Sequence, residues 1–154
     1  MHAISQSAVW IKEPSADAGV VIVTSATLPK YMIDKLHVAI DDWDQVAYLA
    51  VKQSEELRVD WLRAGSGPEQ SAGGCACYAS QLLHGVSHES FLLDVEVGPV
   101  PSLTWLGSVR GHPLRVVELG TIASSTAAMD QQVEQVLSAT RRLAKSVLQA
   151  RGVI

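Results

Sequence analysis

The sequence has few charges and, over a long central stretch, no positive ones. Charged residues make up 18% of the 154 residues, the formal net charge is −4, and no Lys or Arg occurs between Ala64 and Val109. Proteins that bind nucleic acid need clustered cations to neutralise phosphates. The cations that do cluster, Arg141, Arg142 and Lys145, fall late in a predicted helix, where they complement its dipole. We therefore expect no nucleic-acid partner.

Cysteine and long apolar runs are also scarce. The 2 cysteines, Cys75 and Cys77, lie too close together to join distant segments, and so small a number is not typical of a secreted disulfide framework. No apolar run approaches the roughly 20 residues that cross a membrane. Residues 1–12 contain no basic segment followed by an apolar one, as a signal peptide would. These features predict a cytoplasmic protein with no membrane partner.

Motifs that name a reaction are missing as well. The sequence contains no phosphate-binding loop, no Gly-x-Gly-x-x-Gly after a strand, no Gly-x-Ser-x-Gly, no His-Glu-x-x-His and no Cys-x-x-Cys. The acidic run Asp41-Asp42-Trp43-Asp44 does not have the alternation of a calcium-binding loop, and a solvated helix end is its simplest interpretation. No cofactor and no metal are therefore specified.

The composition that is present predicts one domain spanning residues 1–154, because this length suits a single hydrophobic core. Hydrophobic residues make up 47% of the chain and the mean hydropathy is +0.16. Residues 65–74 are rich in glycine and serine and predict a mobile loop. The low surface charge and four tryptophans, a residue enriched at interfaces, favour a homo-oligomer. The four are Trp10, Trp43, Trp61 and Trp105.

Hydrophobic periodicity predicts two long helices, over about 28–43 and 127–151. Thr27 is the expected cap of the first helix, and Ser124–Thr126 offer caps for the second. A short helix is expected near 75–84, ended by Gly85. Residues 54–64 fit a helix face and also strand alternation, and we favour the helix.

Strands are predicted over 8–12, 19–25 and 45–52, the first two as a possible hairpin and the last two joined through the first helix. Glu89–Val97 alternates in a way typical of a strand with one face in solvent. Residues 103–110 and 114–123 predict two more strands, and the short turns between these three favour an antiparallel meander. The sum is an α+β fold with a single mixed sheet of five to six strands.

The segment from Gly73 to His88 holds both cysteines and two histidines, and it supports three hypotheses. Cys75, Cys77, His84 and His88 are suitable zinc ligands, but their spacing is poor for a shared ion. Alternatively, Cys75 or Cys77 in the first turn of a helix is a reactive thiol, with Gly73 and Gly74 exposing backbone N–H groups to a substrate. Finally, the cysteines are ordinary buried side chains, which is the simplest interpretation.

A further candidate lies at the end of the second strand. Ser25 and Thr27 follow a buried strand and precede a helix, which is the edge where α/β proteins bind ligands. Taken together, the sequence predicts a non-catalytic assembly or binding domain. The alternatives are a small enzyme with a reactive cysteine, and a binder of a metal or small molecule that uses residues 75–88.

Overall fold

The computed structural model describes residues 4–66 and 77–152. The strands are β1 (Ala8–Lys12), β2 (Val20–Ser25), β3 (Val46–Val51), β4 (Phe91–Val97) and β5 (Leu114–Gly120). The helices are α1 (Lys30–Ile40), α2 (Ser54–Ser66), α3 (Tyr78–Leu83) and α4 (Thr126–Ala150). Short 3-10 helices occupy Ile4–Gln6 and Thr104–Ser108.

One mixed sheet organises these elements, as the sequence predicts. Its strand order is β1-β3-β2-β4-β5. Strands β3, β2, β4 and β5 run parallel to one another, and the edge strand β1 runs antiparallel to β3. The α+β prediction of five to six strands with two long helices is confirmed, and so are the strand–helix–strand unit β2–α1–β3, whose strands are parallel, and the helix at 54–64.

Helices cover both faces of the sheet, because alternate residues of each central strand point to opposite sides. On the first face, Val20 and Ile22 of β2 pack with α1 and α4. On the second, Val21 and Val23 pack with α2, α3 and the segment around Leu103 and Leu106. This second face carries the residues discussed below. Among the described residues, no helix has the length and apolar character needed to span a bilayer.

The predicted meander is wrong in two respects. Residues 104–108 form a 3-10 helix rather than a strand, and β4 and β5 are parallel. The alternation of residues 103–109 coincides with a spacing of three, which places Leu103, Leu106 and Val109 together against the second face. A parallel partner also needs a connection that returns along the whole strand, and residues 98–113 provide it.

The expected solvated face of Glu89–Val97 and the expected hairpin are also wrong. Asp94 and Glu96 of β4 are buried, since a parallel strand inside this sheet is covered on both sides. Strand β1 pairs with β3 and not with β2. Residues 65 and 66, predicted as part of the loop at 65–74, belong to helix α2, and residues 67–74 lie outside the described residues.

Local contacts explain where the helices end. Ser125 caps α4, its hydroxyl accepting from the Ala128 N–H at 3.2 Å. Thr27 does not cap α1, which starts after Pro29. At the other end of α1, the Lys12 ammonium donates to the carbonyls of Ile40 and Trp43, both at 2.6 Å. These carbonyls also accept the N–H groups of Trp43 and Val46, so Lys12 adds a positive charge at the place where the acids of residues 41–44 oppose the helix dipole.

Candidate functional site

The chain reverses its winding between β2 and β4. After β2 it turns to α1 on the first face, whereas after β4 it turns to the Leu103–Leu106 segment on the second face. In open sheets of parallel strands, such a switch point leaves a crevice outside the carboxyl ends of the strands, and ligands bind there. A ligand site is therefore expected at this edge, outside the carboxyl ends of β2 and β4.

Asp94, the middle residue of β4, is the most unusual side chain among the described residues. It is 1% exposed, on the second face, level with Val23 of β2 and Val116 of β5. Neither of its carboxyl oxygens has a hydrogen-bond partner within the described residues. Burial, reinforced by the neighbouring Glu96 carboxyl, raises the pKa of Asp94 to about 9. At neutral pH this carboxyl therefore holds a proton.

Glu96 lies two residues further along the same face of β4 and, unlike Asp94, accepts several hydrogen bonds. Its oxygens accept from the Ser102 N–H at 3.1 Å and the Leu103 N–H at 3.0 Å, with the Ser102 hydroxyl at 3.4 Å. These donors stabilise a negative charge in a side chain that is 2% exposed. Asp94 and Glu96 thus form a carboxyl pair in which one member is protonated and the other is surrounded by donors, an arrangement suited to acid–base chemistry.

A cleft of about 360 Å³ opens beside Glu96 at the carboxyl ends of β4 and β5. We call it the carboxyl-edge cleft. Its walls are Glu96, Glu118 and the turns at residues 98–101 and 120–121. Glu118 is the register partner of Glu96 on β5 and is exposed. No Lys or Arg is among the lining residues, so the cleft has acidic character.

Ser25 and Thr27, predicted from the sequence as binding residues, lie close to each other at the carboxyl end of β2. Their hydroxyl oxygens are 2.6 Å apart and exposed. Ser25 shares the second face with Val23 and hence with Asp94. The structure thus places this predicted pair on the same edge of the sheet as the carboxyl pair.

The thiol hypothesis concerns Cys75 and Cys77, of which the structure describes Cys77. Gly73, Gly74 and Cys75 lie outside the described residues. Cys77 is 1% exposed and caps the six-residue helix α3, its sulfur accepting from the Ser80 N–H at 3.4 Å. A buried thiol in apolar surroundings resists ionisation.

We accordingly expect Cys77 to react slowly in the folded protein. Brief iodoacetamide treatment should leave it unmodified, while the same treatment in urea should alkylate it fully, because only the unfolded chain exposes the sulfur. Fragment mass spectrometry assigns the adduct to Cys75 or Cys77 separately. Rapid native modification at Cys77 would restore the thiol hypothesis at this residue.

The two predicted histidines do not converge on each other. His84 caps the end of α3, whereas the His88 ring lies edge-on to His112, with 5.6 Å between ring centroids. Within the described part of the chain, no group of three or more His, Cys, Asp or Glu side chains is arranged to hold a metal. His112, which the sequence analysis did not single out, is therefore the structural partner of His88.

His112 is buried and neutral. Its Nε2 lies 3.0 Å from the Val86 carbonyl, which only accepts, so Nε2 carries the proton. Nδ1 has no partner among the described residues. Burial lowers the pKa of His112, and His88 and Arg110 nearby lower it further against the opposing effect of the Val86 bond.

Stability should therefore fall in mild acid. The unfolded chain binds a proton at His112 as pH drops below about 6.5, whereas the folded protein resists it. A His112→Gln variant keeps a donor for the Val86 carbonyl but does not titrate, so the stability of wild type relative to this variant should decline from pH 7 to pH 5. Chemical denaturation at each pH measures this difference, and a constant difference would show that His112 is not held neutral.

Sequence reasoning missed Asp94 and Glu96 because their alternation with Leu93 and Val95 imitates a half-solvated strand. One signal was available: the two acids lie in the stretch from Ala64 to Val109, which offers no Lys or Arg to pair with them. Carboxylates inside an apolar strand without nearby cations must either face solvent or depend on backbone donors, and Glu96 does the latter.

Comparison with known proteins adds no guide to the chemistry. No protein-family model matches this sequence, and no curated protein matches it significantly. Any function assigned to the chain must therefore be supported by its own side chains.

Proposed function

We propose that this protein binds a small molecule carrying a basic nitrogen in the carboxyl-edge cleft, with Glu96 in the cleft wall and the buried Asp94, two residues away on the same face of β4, as an acid–base pair. The observation that carries the proposal is the Asp94 carboxyl, which is buried and without a hydrogen-bond partner in the described residues. Leaving such a group unsatisfied costs about 1–3 kcal/mol. A folded protein gains nothing in stability from it, which is typical of a residue retained for function.

The charge of the cleft supports a cationic ligand. Glu96 and Glu118 contribute carboxyl groups, and no cation lines the cleft to balance them. An ammonium or guanidinium group on a ligand would supply the missing positive charge and charge-assisted hydrogen bonds. The volume of about 360 Å³ lies at the small end of ligand pockets, so the ligand is of metabolite size.

Because Asp94 is protonated at neutral pH, ligand binding should be coupled to the release of its proton. A cation bound beside the carboxyl pair favours the ionised form of Asp94 and lowers its raised pKa. Binding at neutral pH is therefore accompanied by proton release, and it should tighten as pH rises toward 9.

An NMR titration with three small probes tests this function. We expect agmatine and 1,4-diaminobutane to shift the amide signals of Gly98, Gly120 and Thr121, and 1,4-butanediol, which is similar in size but uncharged, to leave them in place. Glu118→Gln should weaken amine binding about tenfold, the effect of losing roughly 1.4 kcal/mol. The control Glu55→Gln removes an exposed carboxylate on α2 and should bind as wild type. Equal responses to the diol and the diamine, or to the two variants, would contradict the proposal.

Self-association and a cytoplasmic location stay predictions from composition. Multi-angle light scattering on the purified protein measures the first directly. A monomer would remove the assembly hypothesis without affecting the ligand proposal, because all the residues named for the carboxyl-edge cleft belong to one chain.

A further inference from the structure

Strand β5 is at the end of the sheet, with β4 as its only strand neighbour among the described residues. The Leu92 N–H donates to the Pro113 carbonyl at 2.9 Å, which turns the backbone groups of residues 113, 115 and 117 toward β4 in a parallel ladder. The N–H and C=O groups of Val116 and Glu118 consequently point to the open side. An edge of this kind accepts an added strand.

A second cleft of about 360 Å³ runs beside this edge, between β5 and α4. Its floor is apolar, with Leu93, Val117 and Leu143, and two arginines, Arg115 and Arg142, line it. Arg115 lies over the Phe91 ring with its Cζ 5.1 Å from the centroid, and its Nη1 donates to the Leu114 carbonyl at 3.1 Å. The cleft therefore combines apolar surface with positive charge.

The two arginines, unlike several other cations of the described chain, have no acidic partner there. Arg141 is paired with Glu134, Arg151 with Glu89, and Lys30 with Asp34. Arg115 and Arg142 form no ion pair within the described residues, although the net charge of the protein is negative. Their guanidinium groups remain available to carboxylates brought by a partner.

We propose that the open edge of β5 binds an acidic, extended segment of a partner protein as a sixth strand, with carboxylates of that segment contacting Arg115 and Arg142. Backbone bonds to Val116 and Glu118 hold the segment in register, and alternate side chains enter the cleft beside α4. The cleft of this surface lies on the first face of the sheet, and the surface shares with the carboxyl-edge cleft only Glu118, through its backbone here and its side chain there.

A second copy of the chain fits this edge less well. Antiparallel pairing about a two-fold axis perpendicular to the sheet keeps α4 of both copies on the same face. It brings the arginine-lined clefts of the two copies to one side, and the lining of this cleft contains no carboxylate. A second copy therefore brings no carboxylate from its cleft to Arg115 and Arg142, whereas an acidic segment supplies their counter-charge, so the charge pattern favours an acidic partner.

Fluorescence polarisation with a labelled seven-residue peptide, Thr-Glu-Val-Glu-Val-Glu-Thr, tests the proposal. The full chain should bind this peptide with a dissociation constant on the order of 1 mM or tighter, and the same peptide with Lys for each Glu should bind at least tenfold more weakly. Arg142→Glu should weaken binding of the acidic peptide at least tenfold. The control Arg58→Glu, a charge reversal on α2, should leave it unchanged.

Two further measurements separate strand addition from mere charge attraction. Val116→Pro removes an outward N–H at an edge position where proline is tolerated, and it should abolish binding. In the wild type, bound peptide should slow hydrogen exchange at the Val116 and Glu118 amides, a readout that does not depend on the folding of any variant. Absence of binding, equal effects of the two charge reversals, or unprotected amides would overturn the proposal. So would a wild-type dimer that Val116→Pro dissociates, since the edge would then be occupied by a second copy.

Discussion

Replacing Asp94 with asparagine should stabilise the folded protein, by an amount that grows with pH. Asparagine has nearly the shape of a protonated aspartic acid, and it cannot ionise. At pH 4 the two proteins should therefore be similar in stability. At pH 8 the variant should be more stable by at least about 2 kcal/mol, or roughly 4–8 °C in Tm for a domain of this size, and by at most about 5–6 kcal/mol, the value that the two pKa values set through linkage.

The increase of this stability difference with pH follows from proton linkage. The pKa of Asp94 is about 9 in the folded protein and about 3.9 in an unfolded chain. Between these values the folded state holds a proton that the unfolded state has lost, so the contribution of Asp94 to stability is fully present below pH 4. That contribution is lost as pH rises toward 9. The Asp94→Asn variant lacks this loss, and the two stability curves should separate with increasing pH.

Thermal or urea unfolding at pH 4, 6 and 8 measures the separation. Asp42→Asn is the matched control, because Asp42 is exposed beyond the end of α1 and the same substitution there should change stability by less than about 0.5 kcal/mol. If Asp94→Asn proves less stable than the wild type at pH 8, then Asp94 is ionised and held by donors, and the proposed function loses its main support.

The same substitution should impair ligand binding. Asparagine at position 94 cannot release a proton, so amine affinity should no longer increase between pH 6 and pH 8. A gain of stability together with a loss of binding is typical of residues retained for function at a cost to the fold.

Much of this architecture was predictable from local patterns. Helix α4 carries a stripe of apolar residues at helical spacing, and its cap at Ser125 lies within the predicted interval. Strand β2, with five of its six residues buried, was recognisable from its unbroken β-branched run. These signals involve residues that are close together in the sequence, so they can be recognised without knowledge of the fold.

The wrong predictions concern residues whose structure depends on contacts with distant parts of the sequence. Residues 103–109 satisfy both strand alternation and a spacing of three, and only the parallel direction of β5 selects the 3-10 helix. Similarly, the acids of β4 are buried because helices and turns from elsewhere in the chain cover the second face. Ser25 and Thr27 were predicted because a strand that ends before a helix is a local signal, whereas Asp94 becomes unusual only when its neighbours across the sheet are known.

Replacing Glu96 with glutamine should have the second large effect, and it should lower the stability of the folded protein instead of raising it. Oε2 of Glu96 accepts from the N–H groups of both Ser102 and Leu103, and Oε1 shares the Ser102 N–H, so Glu96→Gln keeps only one of these two acceptor oxygens. The new amide nitrogen would face a backbone donor, which it cannot accept. Hydrogen bonds to charged groups contribute about 1.5–3 kcal/mol each, so we expect a loss of about 2–3 kcal/mol in the free energy of unfolding.

The matched control is Glu118→Gln, at the same level on β5. Its side chain is exposed, so stability should change by less than about 0.5 kcal/mol. Both variants remove one charge from the carboxyl-edge cleft, and only Glu96→Gln removes acceptors from buried N–H groups. Similar stability losses in the two variants would show that charge alone, and not the hydrogen bonds to residues 102–103, accounts for the effect.

Combining the substitutions separates the two roles of Glu96. Glu96 holds the 102–103 turn and also raises the pKa of Asp94. At pH 8, Glu96→Gln should therefore cost about 1 kcal/mol more in the Asp94→Asn background than in the wild type, because only the wild type gains relief at Asp94. At pH 4, where Asp94 is largely protonated in both states, the two costs should converge. A coupling energy that does not change with pH would mean that the two carboxyl groups do not share a proton equilibrium.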